Sequence, residues 1–281
     1  MRIAFWSNAY ESCGVSANMA AISVASVIRF PYTVMALENH LCHNNLGRAY
    51  LGTSNAEMTR EAGTNYYEGG GIEGLLRRIY RGNYHQDILP FYRKEIIHRH
   101  LYYIPQSRVM NIELFDYELN HCIQPLFHLI EGYADICFID TASRNNLSTK
   151  TILEESDLIV INLCQNPILL EEFFLNYSSL IPKAVFLVAN YTMHSIFNNK
   201  RISKMYGIPS ESIAVIPNNE VFCNAILNGS VVEFISSNYA CNKDNPNYLF
   251  IQAVKKATSI IIKKADQICD YRRKEINLCG R

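Results

Sequence analysis

Short apolar runs alternate along this sequence with longer segments in which apolar residues recur at helical spacing. Several of the short runs are apolar at nearly every position, which is typical of strands that are covered on both faces. The predicted strands are Arg2–Trp6, Thr33–Leu37, Asp135–Ile139, Leu158–Leu163, Ala184–Ala189 and Ile213–Ile216, with Leu101–Ile104 as a weaker candidate. The segments of helical length and period between them include Ser16–Ile28, Asp116–Glu131, Leu169–Leu180 and Ile196–Tyr206.

Strands and helices in regular alternation predict βαβ units, and hence a three-layer α/β/α fold with a mostly parallel sheet. The sequence contains no internal repeat or linker-like tract, so we expect one domain over residues 1–281. The polar, Gly- and Tyr-rich stretch Arg48–His100 fits the pattern least, and we expect it to form an elaboration beside the sheet edge. Ligands of such folds bind beyond the carboxyl ends of the strands, so the loops after the strands are the candidate sites.

Composition narrows the classes of function. The 26 Lys and Arg residues balance 26 Asp and Glu residues, which argues against nucleic-acid binding driven by bulk charge. Hydrophobic residues make up 49% of the chain and charged residues 19%, a balance that excludes a disordered chain. The nine cysteines form no C-x-x-C pair, so we expect free buried thiols in a reducing cytosol. Because the sequence has no secretory signal and no apolar run of bilayer length, the predicted location is cytoplasmic.

The loop after the first predicted strand is a candidate phosphate site. It leads into a helix rich in small residues, and the free N–H groups and the dipole of a helix N-terminus favour an anion. Small side chains in the loop leave room for a phosphate to reach the backbone: Ser12, Cys13, Gly14, Ser16 and Ala17. Small residues also let a helix pack closely against a sheet, so this pattern alone leaves both interpretations open.

The same segment resembles the deviant P-loop of the MinD/ParA family of ATPases, N-x-K-G-G-x-G-K-[ST]-T. Aligned without gaps, Gly14 falls on the last loop glycine and Ser16 on the magnesium-binding Ser/Thr. Two cations of the family pattern are missing, because Tyr10 replaces the signature lysine and Val15 replaces the P-loop lysine. The first lysine of the chain is Lys94. The resemblance implies a nucleotide site at Glu11, Ser12, Cys13, Gly14, Val15, Ser16 and Ala17.

Further landmarks of the family follow in order along the chain. Glu38 and His40 stand where the family carries D-x-D, which positions magnesium and water. Asp140 ends a strand that matches the family pattern D-x-x-x-x-D-T. The resemblance covers about residues 1–47 and 130–236, whereas residues 48–129 form a divergent elaboration. Residues that the resemblance places beside the adenine are Asn190, Pro217 and Asn218.

The resemblance implies that Ser16 and Asp140 bind magnesium together with ATP, and that Glu38 and Asp140 are the catalytic groups if the site is active. Carboxylates and hydroxyls suit that hard cation. The alternative for Asp140 is structural, since its carboxylate could instead cap or hydrogen-bond the loop that follows. No zinc site or iron–sulfur cluster is expected, because the run His40-Leu-Cys42-His43 lacks the two well-spaced ligand pairs of a structural zinc site.

The missing cations shape the expected function. In phosphoryl transfer the P-loop lysine and the metal ion neutralise the charge of the phosphates. The apolar side chain of Val15 cannot do so. We therefore expect ATP binding without efficient hydrolysis, protein partners and homodimerisation. Atypical bacterial members such as the TadZ/CpaE proteins, which localise pilus-assembly machinery, are similar in having degenerate P-loops. The alternative is an active ATPase for DNA partition or protein positioning, in which a displaced cation such as Arg144 replaces the lysine.

The C-terminal segment Asn247–Asn277 carries an apolar stripe at helical spacing and is locally basic from Lys255 to Lys274. MinD proteins end in a membrane-targeting amphipathic helix, and basic amphipathic helices bind membrane interfaces. Peripheral membrane binding through this helix is therefore one interpretation. The same stripe would also dock the helix on the sheet, and the absence of tryptophan from this segment favours docking.

Overall fold

A computed structural model describes residues 1–9, 13–40, 46–52, 71–106, 111–143 and 146–279, with side chains up to residue 274. Its strands are β1 (Arg2–Trp6), β2 (Val34–Glu38), β3 (Lys94–Ile97), β4 (Leu101–Tyr103), β5 (Ile136–Asp140), β6 (Leu158–Leu163), β7 (Ala184–Tyr191) and β8 (Ile213–Pro217). They form one eight-stranded sheet in the order β3-β4-β2-β5-β1-β6-β7-β8.

Helices connect the strands and cover both faces of the sheet. The α-helices are Val15–Arg29, Ile72–Tyr80, Ile112–Glu131, Leu147–Glu155, Pro167–Asn176, Asn199–Tyr206, Glu220–Asn228, Val231–Asn238 and Tyr248–Cys279. Residues 46–52 are also helical, and three short 3-10 helices span Gln86–Phe91, Ser178–Lys183 and Ser210–Ser212. The predicted helix Leu169–Leu180 is therefore too long, because the α-helix ends at Asn176 and a 3-10 turn follows it.

The sheet is parallel except at one edge. Strands β4, β2, β5, β1, β6, β7 and β8 pair in parallel, and β3 pairs with β4 antiparallel. All the strands predicted from apolar runs form, with ends that shift by at most two residues. The predicted three-layer α/β/α fold with a mostly parallel sheet is confirmed.

Alternation along each strand sends side chains into two separate cores. On β1, Ile3 and Phe5 pack on the face covered by the helices Val15–Arg29 and Tyr248–Cys279. Ala4 and Trp6 pack on the opposite face, which the helix Ile112–Glu131 covers. The continuous apolar runs follow from this arrangement, because a strand that is buried on both faces has no solvent-facing position.

Residues 48–129 contribute directly to the sheet and to both cores. The strands β3 and β4 extend the sheet at the β2 edge. Asn111 caps the helix Ile112–Glu131, accepting a hydrogen bond of 3.0 Å from the Leu114 amide. The helix thus begins four residues before the predicted start at Asp116, since its first turn carries little of the apolar stripe. We expected Arg48–His100 beside the sheet edge, and its strand β3 is the edge strand.

The C-terminal helix uses its apolar stripe for docking. Phe250, Val254, Ala257 and Ile261 are buried against the face that also contains the helix Val15–Arg29. Leu249, which the sequence placed in the stripe, is instead 69% exposed. Membrane binding by this stripe would require the helix to leave the core. Among the described residues, no helix combines the length and apolarity needed to cross a bilayer.

Candidate functional site

The carboxyl ends of β2, β5 and β1 lie side by side, so the loops that follow these strands meet at one edge of the sheet. Asp140, the last residue of β5, pairs with Glu38 of β2 on one side and with Phe5 of β1 on the other. This is the edge at which parallel α/β folds bind their ligands.

Three titratable side chains meet at this edge: Glu38, His40 and Asp140. One possible ligand atom from each lies within 4.8 Å of the other two. His40 Nε2 is 3.0 Å from Asp140 Oδ2. Glu38 is fully buried and Asp140 is 1% exposed. The residues that correspond to the D-x-D motif, Glu38 and His40, are thus brought together with Asp140, the acid that ends β5.

Hydrogen bonds fix the Glu38 carboxylate in place. The Tyr103 hydroxyl donates to Oε1, and the Leu46 amide donates to Oε2 over 3.1 Å. Burial raises the pKa of Glu38 to about 7, although His40 and the Tyr103 hydrogen bond both act to lower it. Tyr103 is an important neighbour that the sequence did not indicate, because it belongs to β4, outside the segments that resemble the family.

The Asp140 carboxylate has no hydrogen-bond partner for either oxygen, although both oxygens are buried. The structural alternative for this residue, a cap on the following loop, is therefore wrong. Asn39 caps that loop instead, since its Oδ1 accepts a 2.7 Å hydrogen bond from the Ala142 amide and its Nδ2 donates to Ser148 Oγ and Thr149 Oγ1. A buried carboxylate that accepts no hydrogen bond is rare in proteins and requires an explanation.

The candidate phosphate loop enters the helix through Gly14. Gly14 has φ 55°, in the left-handed region, and the helix begins at Val15. Ser16 and Ala17 follow in the first turn and are half-buried. No side chain caps the start of this helix. Its first backbone amides therefore donate to no capping side chain. Tyr10, Glu11 and Ser12 lie outside the described residues, as does Arg144.

A disulfide between Cys13 and Cys164 joins the candidate phosphate loop to the end of β6, with a Cα–Cα distance of 5.9 Å. Cys13 is 2% exposed and packs against Ala9 and Ala189. The expectation of free thiols is wrong for this pair. The described cysteines that remain free are Cys122, Cys137, Cys223, Cys241 and Cys269.

The residues expected beside an adenine lie at the same edge of the sheet, on β7 and β8. Asn190 is exposed and has φ 49°, a left-handed conformation that is uncommon for residues other than glycine. Tyr191 pairs with Pro217, so Asn190 and the Pro217–Asn218 turn are neighbours. Asn219, the next residue, is a structural cap that accepts a 2.7 Å hydrogen bond from the Phe222 amide.

Solved structures with the same architecture include MinD and ParA proteins. A ParA family ATPase from Chlorobium tepidum TLS superposes with a TM-score of 0.67 at 14% identity, covering 92% of this chain and 98% of that chain. The septum site-determining protein MinD complexed with Mg-ADP from Pyrococcus horikoshii OT3 gives 0.63 at 15% identity, with 95% and 99% covered. The MinC:MinD cell division protein complex of Aquifex aeolicus gives 0.63 at 12% identity, with 93% and 95% covered.

Sequence similarity gives no comparable match: no family model fits the chain, and no curated protein matches it significantly. The structural likeness nevertheless spans nearly the whole length of each neighbour. It agrees with the order of landmarks found in the sequence. The chain therefore has the fold of the MinD and ParA P-loop ATPases.

Proposed function

We propose that this protein binds ATP with magnesium at the carboxyl edge of the sheet without hydrolysing it efficiently, and that it acts by localising or scaffolding partner proteins. The proposal rests mainly on Val15, which begins the helix after the candidate phosphate loop. An apolar side chain stands there in place of the P-loop lysine. Pilus-assembly or secretion machinery is the class of partner that the likeness to TadZ/CpaE proteins favours.

The chemistry of the edge fits a cation and a phosphate group. Asp140 offers two buried carboxylate oxygens without hydrogen-bond partners, and these are the hard ligands that magnesium prefers. Ser16 lies in the first turn of the helix that follows β1, the strand next to β5. Ser16 and Asp140 would hold magnesium, which would neutralise phosphate charge, while the uncapped helix amides would orient the phosphate oxygens.

The adenine would bind between Asn190 and the Pro217–Asn218 turn. Asn190 is exposed at this edge of the sheet. The neighbours named for Mg-ADP and for a MinC complex support nucleotide binding and protein partners by analogy of fold.

Apolar side chains exposed beside the edge support a protein-binding role. Ile168 is 74% exposed after β6, and Met193 and Ile196 are 73% and 69% exposed after β7. Gln165 holds the two loops together, since its Nε2 donates to the Thr192 and Phe197 carbonyls over 3.1 and 2.9 Å. Exposed apolar groups on a fixed surface are typical of an interface with a second protein or a second copy of the chain.

Isothermal titration with ATP and magnesium, combined with a phosphate-release assay, tests this function. We expect saturable binding and phosphate release well below that of a MinD or ParA ATPase. A flat titration at millimolar nucleotide would remove the binding claim. Rapid phosphate release that is abolished by Asp140→Ala would instead favour the alternative, an active ATPase with a displaced cation.

Restoring the missing cation should strengthen nucleotide binding. Val15→Lys is expected to tighten ATP about 10- to 100-fold, because a charge-assisted hydrogen bond contributes roughly 1.5–3 kcal/mol. Val15→Met is the matched control, since it adds similar length without charge. Equal ATP affinities for the two variants, measured by titration calorimetry, would mean that residue 15 does not face the phosphates.

A further inference from the structure

The site contains a donor set that differs from the family pattern. Glu38, His40 and Asp140 supply two carboxylates and one imidazole from the ends of β2 and β5. The side chain of His40 is 9% exposed and that of Asp140 is 1% exposed, so the cluster is largely shielded from water. The three ligand atoms lie within 4.8 Å of one another, close to the separation of about 3–4 Å for atoms that share one ion at roughly 2 Å.

The Asp140 carboxylate provides a second observation, independent of the spacing of the three ligand atoms. Both of its oxygens are buried and accept no hydrogen bond, and the nearest ring nitrogen, His40 Nε2, lies 3.0 Å from Oδ2. Leaving a buried acid unsatisfied is costly. An ion between the imidazole nitrogen and the carboxylates would give the Asp140 oxygens the partner that they lack.

We propose that Glu38, His40 and Asp140 bind a divalent transition-metal ion of the zinc class, without any contribution from nucleotide. Nitrogen ligands select such ions over magnesium, which prefers oxygen ligands only. Three protein ligands leave a coordination position open for water or a phosphate oxygen, as in catalytic zinc sites. His40 is the selectivity-determining residue, because an acid at this position would give an all-oxygen site.

Neighbouring groups hold the ligands in place. The Tyr103 hydroxyl and the Leu46 amide each donate to one oxygen of Glu38, and each oxygen keeps a lone pair for a metal. Such outer contacts orient ligands and increase metal affinity. No zinc was expected from the sequence, because the run from His40 to His43 lacks paired ligands when it is taken alone. The ligand set proposed here combines His40 with acids from two strands, and Cys42 and His43 lie outside the described residues.

Calorimetry on the full-length protein, stripped of metal with a chelator and free of nucleotide, tests this site. ZnCl₂ is expected to bind with a stoichiometry of one and much more tightly than MgCl₂. His40→Asp should weaken zinc at least about 100-fold, since even an outer-shell contact is worth 10–100-fold, and should strengthen magnesium. The matched control is His98→Gln, because His98 forms an exposed pair with Glu95 over 3.2 Å. This variant should bind zinc like the wild type.

The proposal fails if the wild type binds no zinc, or if His40→Asp binds zinc as tightly as the wild type does. Cobalt absorption supplies a second readout that does not require a variant to fold. Nitrogen and oxygen ligation gives weak visible bands, whereas a sulfur-to-metal charge-transfer band would assign the ion to cysteines and overturn the proposal. These measurements are made without ATP. The zinc proposal can therefore succeed where the nucleotide proposal fails, and the nucleotide proposal can succeed where the zinc proposal fails.

Discussion

Gly229→Ala is expected to lower the free energy of unfolding by about 4 kcal/mol or more, a loss in the exceptional range for one substitution. Gly229 ends the helix Glu220–Asn228 with φ 69°, a conformation that side chains other than glycine rarely adopt. A Cβ atom there would lie 1.9 Å from the Gly52 nitrogen and 2.2 Å from the Gly52 Cα. Backbone cannot yield as a side chain does, so the helix and the segment 46–52 would have to separate.

Gly207→Ala is the matched control for this prediction. Gly207 ends the helix Asn199–Tyr206 in the same left-handed conformation, with φ 65°, but a Cβ atom there would contact nothing within 4 Å. Its cost is therefore the backbone strain alone, about 1 kcal/mol. Urea unfolding of both variants measures the difference. Equal losses would show that the close approach of Gly229 to Gly52 contributes nothing to stability.

The sheet could be predicted from the sequence because strands buried on both faces leave continuous apolar runs. Strand β3 could not, since Lys94 and Glu95 are exposed on an edge strand and give no such signal. The start of the helix Ile112–Glu131 was also missed. Ile112 and Leu114 are exposed there, so the apolar stripe does not define the first turn.

The candidate site was only partly predictable. Glu38 and Asp140 could be found from local patterns because each ends an apolar strand, and pairing of β2 with β5 brings them together. Their partners depend on tertiary contacts that no spacing reveals. Tyr103 reaches Glu38 from 65 positions away, and Asn39 caps the loop that the sequence assigned to Asp140.

The second large effect concerns the link between Cys13 and Cys164. Cys164→Ser is expected to lower the free energy of unfolding of the oxidised protein by about 5 kcal/mol, because the bond closes a long loop in the unfolded chain. The two cysteines are separated by 151 positions, and the entropy that a cross-link removes from the unfolded chain grows with loop length. Denaturant unfolding with and without dithiothreitol provides the measurement.

Two comparisons separate the disulfide from the loss of a buried thiol. Cys241→Ser changes a free, half-buried cysteine and should leave stability within about 1 kcal/mol of the wild type. Cys13→Ser and Cys164→Ser should each cost about the same as the double variant, because either substitution removes the whole bond. Additive losses, or a wild type that dithiothreitol leaves unchanged, would mean that the bond does not form. A bond that does form fixes Cys13 one residue before Gly14, and so holds the start of the candidate phosphate loop against β6 whether or not a ligand is bound.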